Sequence, residues 1–223
     1  MGLITGFQEK GSFIMYELMK FMDFVNFFII YISLMVIFMI IFILFNDFHS
    51  SESLDSDLFE TIWLFLPIFV MFFISTTSMY ILYYTDSFRD YDLNLKILGN
   101  QWYWSYEYNL GDVTYSYDSY MSSDTVEYRL LEVDNRVMLP VNTVVRMLIS
   151  SSDVIHSFTI PCLGVKMDAI PGRINYIIIE IFKCGLFYGQ CSEICGINHS
   201  FMPIVVECIS MLDFLHWFSC LDC

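Results

Sequence analysis

The chain has 223 residues, 57% hydrophobic and 18% aromatic, with a formal net charge of −15. That apolar share excludes an ordinary soluble domain. The acidic balance, 2 basic against 8 acidic residues before Asp86 and 8 against 17 from there on, excludes nucleic acid as a partner and favours a basic protein. Residues 24–45 run for 22 positions without a charge and residues 61–85 for 25. Each exceeds the roughly 20 residues a helix needs to cross a bilayer, so a transmembrane hairpin is expected. Pro67 falls near the start of the second run, and a Ser-Thr-Thr-Ser stretch at 75–78 can bond back to its own turn. The N-terminus has neither the pattern of a cleaved signal nor that of a transit peptide, and the first span is expected to be retained. Lys10, Lys20, Arg89 and Lys96 flank the spans, while the loop at 46–60 carries five acids and no base. Taken by charge alone, both termini lie on the inner side.

From Asp86 onward the periodicity is that of strands. In QWYWSYEY, residues 101–108, Trp102, Trp104, Tyr106 and Tyr108 share one face. Further β-branched runs follow at 127–133, 144–150, 155–160, 174–182, 186–190 and 203–209, punctuated by turns such as Ile-Pro-Gly-Arg at 170–173. Residues 212–218 alone look helical. Short strands at this spacing predict a sandwich or Greek-key barrel over residues 86–223, behind a two-helix hairpin within residues 1–85.

The chemistry concentrates in CSEICGINHSFM, residues 191–202, a loop between two predicted strands. Its spacing is Cys191-x3-Cys195-x3-His199-x2-Met202. A disulfide between the cysteines leaves His199 and Met202 unexplained. A structural zinc site uses the thiolates and the imidazole but has no role for methionine. A mononuclear blue-copper centre takes the methionine but only one cysteine. Two coppers bridged by both thiolates use everything, given a second imidazole, and His156 in DVIHSF is the candidate; His49 and His216 have no partners in sequence.

Seven motifs now carry a resemblance: GFQ at 6–8, ETIW at 60–63, GNQWYWSYEY at 99–108, RLLEVDNR at 129–136, DVIHSF at 153–158, DAIPGR at 168–173 and YGQCSEICGINHSFMP at 188–203. In this order and over nearly the whole chain, they resemble subunit II of the cytochrome c oxidases, in its mitochondrial form. The resemblance implies a membrane-anchored all-β protein, in which a transmembrane hairpin precedes a cupredoxin-like Greek-key β-barrel. It implies the inner mitochondrial membrane, with the barrel in the intermembrane space, against the charge-derived orientation. Cys191 and Cys195 would bridge a dinuclear copper centre of the CuA type, with His156 and His199 as imidazole ligands. Met202 and the main-chain carbonyl of Glu193 would be the weak ligands. The Glu193 carboxylate would reach a magnesium ion shared with subunit I.

By the same resemblance, electrons arrive from cytochrome c at Trp102 and leave for a haem in subunit I, where oxygen is reduced with proton translocation. Glu107, Asp112, Asp134 and Asp153 would form an acidic docking ring, and Glu60 would mark the mouth of a proton path. Subunits I and III and accessory subunits would be partners. Asn100 and Phe158 stand where histidine and tryptophan are common in the family. Cys162, Cys184, Cys208, Cys220 and Cys223 are not family ligands, and the terminal C-x-x-C at 220–223 reads as incidental. A quinol-oxidising relative would lack the copper ligands. A free-standing copper carrier would need neither Glu60, Glu193 nor the tryptophan strand.

Overall fold

A computed structural model describes residues 8–47, 56–86, 90–111, 113–122 and 128–221. His49, Asp112 and Cys223 lie outside them, as do most of the GFQ motif and the start of the expected strand at 127–133. Two helices lead, α1 (Phe13–Phe45) and α2 (Asp57–Thr85). Both are long and apolar enough to span a membrane. Large side chains along them are exposed, from Ile43, Leu44 and Phe45 on α1 to Trp63 and Phe69 on α2, as a lipid-facing surface requires. Pro67 lies inside α2 rather than at its start. Ser75, Thr76 and Thr77 bond back to the carbonyls of Phe72 and Phe73 as the sequence suggests.

Helix α1 begins eleven residues before the uncharged stretch, and its start belongs to the β-domain. One compact unit comprises Met1–Glu17 with Thr85–Cys223, and Leu18–Tyr84 forms the other. Ser12 joins the N-terminal segment to the domain. Its hydroxyl caps the helix by accepting from the Met15 amide at 3.1 Å and donates to the Leu163 carbonyl at 2.6 Å. Gly11 donates to the Cys162 carbonyl and accepts from Phe182. Lys10, a base in the charge count, has its ammonium 4.1 Å from the centre of the Tyr16 ring.

Ten strands follow among the described residues: β1 (Leu93–Asn100), β2 (Tyr103–Leu110), β3 (Val113–Ser119), β4 (Val137–Pro140), β5 (Val144–Ser151), β6 (His156–Ile160), β7 (Val165–Ala169), β8 (Asn175–Glu180), β9 (Gly185–Gln190) and β10 (Pro203–Ile209), closed by α3 (Met211–Cys220). They form a five-stranded sheet in the order β3-β2-β1-β5-β8, a three-stranded sheet β4-β10-β9 and the pair β6-β7. Most neighbours are antiparallel, but β1 runs parallel to β5 and β4 to β10, the crossing connections of a Greek key. Strict alternation builds the core: Leu93, Leu95 and Ile97 of β1, Trp104, Tyr106 and Tyr108 of β2, and Val145, Met147 and Ile149 of β5 all point inward. Full burial of the three β2 aromatics is worth roughly 4–6 kcal/mol each in gross transfer free energy. Ser210 caps α3 by accepting from the Asp213 amide, and α3 buries Phe214.

Two expectations change. Trp102 is not in the aromatic strand; it sits in the turn between β1 and β2, and only Trp104, Tyr106 and Tyr108 face the core. The described part of 127–133 is turn, with Leu130 at φ 66° and Val133 in an isolated bridge to Met121. Its apolar residues have no neighbouring strand to complete a ladder.

Candidate metal centre

Three loops converge at one end of the β-domain, each from a different sheet. The β1–β2 turn brings Gln101 and Trp102, the β5–β6 loop leads into His156, and the β9–β10 loop carries Cys191 to Met202. The last two are held together where β6 passes β9. The Ser192 amide donates to the Ser157 carbonyl at 3.1 Å, and Gly189 lets the backbones meet. A Cβ there would lie 2.1 Å from the Thr159 carbonyl oxygen.

One ligand atom each from His156, Cys191 and Cys195 falls within a 4.8 Å cluster. His156 Nδ1 is 4.0 Å from Cys191 Sγ, and the Cys191 thiol reaches the Glu193 carbonyl at 3.4 Å. Cys195 Sγ lies 3.5 Å from His199 Nδ1 and 3.5 Å from Met202 Sδ. His156, both cysteines and Met202 are buried, while His199 and Glu193 are half-buried. Two thiols, two imidazole nitrogens, one thioether and one carbonyl thus surround a single spot. Every residue that the sequence nominated as a copper ligand is in the set.

Electrostatics favour a cation here. Burial opposes ionisation of Cys191, but hydrogen bonding from His156 and from backbone groups outweighs it and lowers this thiol to about 7. Burial, together with the Cys191 thiolate beside it, pushes Cys195 up to about 12. A cation bound between the two sulfurs would favour the thiolate form of both. His156 is oriented from behind. Its Nε2 lies 2.9 Å from Asp153 Oδ1 and donates to the carboxylate, which turns Nδ1 towards Cys191. Burial lowers the basicity of His156, and the hydrogen bonds that Cys191 and Asp153 accept from its ring more than restore it.

The donor count discriminates among metals. A single four-coordinate ion leaves two of six donors idle, and structural zinc does not use a thioether. The soft thiols and thioether together with the imidazoles would suit copper. Both cysteines are free thiols, as are Cys162, Cys184, Cys208 and Cys220. The family departures fit locally: Phe158 packs edge-on to Trp104 with ring centres 5.3 Å apart, and Asn100 bonds Ser105 at 3.0 Å and accepts from Ser152.

The other nominated residues are dispersed. Trp102 lies over Gly196; a Cβ on this glycine, at φ +124°, would sit 3.1–3.2 Å from the indole ring. Glu60 is in the first turn of α2, outside the β-domain. Glu107 pairs with Lys96. Asp134 accepts from the Tyr120 amide at 2.7 Å, beside the stacked pair of Tyr103 and the half-exposed Tyr120. Asp153 is tied to His156, Val154 and Gln101. Sequence reasoning missed Gln101, whose side-chain amide donates to the Cys195 carbonyl at 2.7 Å; no spacing rule points to it.

Family models agree with this architecture. The one described as cytochrome C oxidase subunit II, periplasmic domain, matches residues 93–209, and its transmembrane-domain counterpart matches residues 2–81. The chain belongs to the cytochrome c oxidase subunit II family. Among solved structures it is similar to the periplasmic domain of subunit II (CoxB) of Bradyrhizobium japonicum, at 46% identity and TM-score 0.55, covering 58% of this chain and 92% of that one. A second likeness is to subunit II of cytochrome c oxidase in a mixed-disulfide intermediate with the thioredoxin-like TlpAs, at 45% identity and TM-score 0.53, covering 59% and 92%. A subunit II with two membrane-spanning helices and a periplasmic-type domain carries its β-domain outside, so the charge-derived orientation is overruled. Lys10 and Lys96 engage Tyr16 and Glu107 of the folded domain instead.

Proposed function

We propose that this chain is the electron-accepting subunit of a mitochondrial inner-membrane cytochrome c oxidase, taking electrons from cytochrome c and passing them to a haem of subunit I. The observation that carries this reading is the meeting of five soft or imidazole donors and one carbonyl oxygen at one end of the barrel. Bound there by Cys191, Cys195, His156, His199, Met202 and the Glu193 carbonyl, two coppers supply a one-electron store shared between both metals. The protein's part is to hold the donors rigidly and keep water out. Ligands anchored on two sheets, with a turn from the third braced behind them, move little on a change of charge, which keeps the reorganisation cost of electron transfer low. The Glu193 carboxylate is left over once its carbonyl is used, and magnesium, a hard cation, is the partner it suits. The test is electron paramagnetic resonance with metal analysis on the assembled oxidase. One unpaired electron spread over two equivalent coppers supports the reading, and a single copper, zinc or no metal refutes it.

Trp102 packs against Gly196, the residue that follows Cys195 in the ligand loop, and is the point where an electron reaches that loop. Asp134 and the outward aromatics Tyr103 and Tyr120 lie on the surface a lysine-rich cytochrome would cover. Association should therefore fall with ionic strength, from the steered range near ~10⁸ M⁻¹s⁻¹ towards the unsteered ~10⁶. Stopped-flow mixing at several salt concentrations checks this, and a flat profile refutes electrostatic docking. Oxidase carrying Glu60→Gln should show a several-fold loss of turnover with impaired proton uptake. Unchanged turnover with full uptake would remove Glu60 from the proton path. The likeness to a subunit II captured in a mixed disulfide with a thioredoxin-like protein adds an assembly step: if Cys191 and Cys195 become oxidised to a disulfide, a thioredoxin-like dithiol supplies the two electrons that free them for metal.

A further inference from the structure

The donors come from loops anchored in different sheets, so the hydrogen bonds of any one sheet cannot set the distance between them. His156 opens β6, and Cys195 lies in the β9–β10 loop. Between them stands the β1–β2 turn, from the five-stranded sheet, and it touches both sides. The main-chain N–H of Gln101 donates to Asp153 Oδ2 at 2.7 Å. Its side-chain amide donates to the Cys195 carbonyl at 2.7 Å. The other carboxylate oxygen, Asp153 Oδ1, faces His156 Nε2 at 2.9 Å, accepts from the Val154 amide at 2.6 Å and lies 3.3 Å from Ser151 Oγ. A continuous chain of contacts therefore runs from Cys195 through Gln101 and Asp153 to His156, behind the donors and outside their own set.

We propose that Gln101 and Asp153 form a clamp that presets the separation of the two ligand loops and the ring orientation of His156. Both are positioning residues for the metal centre. This rests on the metal reading given above and adds two residues to it. The clamp also revises the part expected of Asp153. Its side chain is 31% exposed, and the contacts just given engage both of its oxygens, which leaves little acceptor capacity for a partner's lysine. A carboxylate behind a ligating imidazole fixes the tautomer and strengthens the donor on the far side of the ring. The amide of Gln101 does the corresponding work for the sulfur loop, because holding the Cys195 carbonyl holds the backbone that aims its thiol. Trp102 follows Gln101 directly, so the surface that receives the electron and the loops that hold the metal share one anchor.

The experiment uses the assembled oxidase with wild-type chain, Gln101→Met, Asp153→Asn and Asp153→Leu. Three quantities are read: the copper resonance spectrum with its midpoint potential, the rate of copper loss to a chelator, and the salt dependence of reaction with a lysine-rich c-type cytochrome. The clamp predicts an altered spectrum and potential, with copper retention weakened roughly 10–100-fold in Gln101→Met and Asp153→Leu. Asp153→Asn, whose amide oxygen still accepts an N–H, should recover part of the loss. The salt slope should not change. Wild-type spectrum and retention in Gln101→Met and Asp153→Leu, with a shallower salt slope in the Asp153 variants, would overturn the clamp and return Asp153 to docking. Gln101→Met alters only a side chain at the turn, and it decides the matter alone if the Asp153 variants do not assemble. A wild-type oxidase without the two-copper signal would instead refute the metal reading, a separate result.

Discussion

Oxidase carrying Cys195→Ser is expected to lose the two-copper signal and more than about 100-fold of its cytochrome-c-dependent turnover, beyond the 10–100-fold typical of losing a residue that merely supports a ligand. Cys195 is where the donor set closes, since its sulfur lies 3.5 Å from both the His199 nitrogen and the Met202 sulfur. A serine hydroxyl is hard, stays protonated and bridges copper poorly. Cys191, His156 and the Glu193 carbonyl remain close together, so any residual metal should be a single ion with a simpler spectrum. Met202→Leu is the informative companion. Removing only a weak ligand should leave both coppers in place while moving the reduction potential. Two equivalent coppers and turnover within tenfold of wild type in Cys195→Ser would contradict the shared-thiolate arrangement.

Gly189→Ala should be as damaging although it touches no ligand. The added methyl would sit 2.1 Å from the Thr159 carbonyl oxygen and 3.1 Å from its carbon. Those are backbone atoms, so no rotamer change relieves the contact; β6 and β9 must separate. Overpacking a core costs 1–3 kcal/mol when side chains can yield, and a backbone collision should exceed about 3 kcal/mol. The separation also stretches the bond from the Ser192 amide to the Ser157 carbonyl, which joins the cysteine loop to the strand that starts with His156. Urea unfolding of the full chain in detergent and copper content of the assembled oxidase are the measurements. Unchanged midpoint and full copper loading would show that the strands have room to spare.

Particular elements explain what the sequence disclosed. Strands β5 and β2 alternate cleanly between core and surface and were legible. Strands β1, β3 and β7 were not assigned, because Asn, Lys, Ser, Asp and Gly dilute their β-propensity, and β4 was missed because it has four residues and its partner β10 is distant in sequence. The opposite error occurred at 127–133, where an apolar run without a neighbouring strand became turn. Trp102 looked like one more core aromatic, yet the chain turns at Gln101 and places it over Gly196 instead. Asp153 reads as a surface acid in sequence, since nothing local says that its carboxylate meets a histidine ring.

The sequence by itself determined the two spans, the β character of the remainder and the donor set from Cys191 to Met202. These depend on local quantities: the length of an uncharged run, a period of two, and a spacing of three or four residues that a single loop can satisfy. The tertiary structure brought His156, which the sequence could only nominate, to 4.0 Å from Cys191, 35 positions away, and it alone decided that Gly189 must lack a side chain and that Gln101 and Asp153 stand between the ligand loops. It also decided that Gly11 and Ser12, ahead of the first span, belong to the β-domain. Each of these is a contact between strands or loops remote in sequence. Such contacts form only when whole sheets pack, and no pattern along the chain records them.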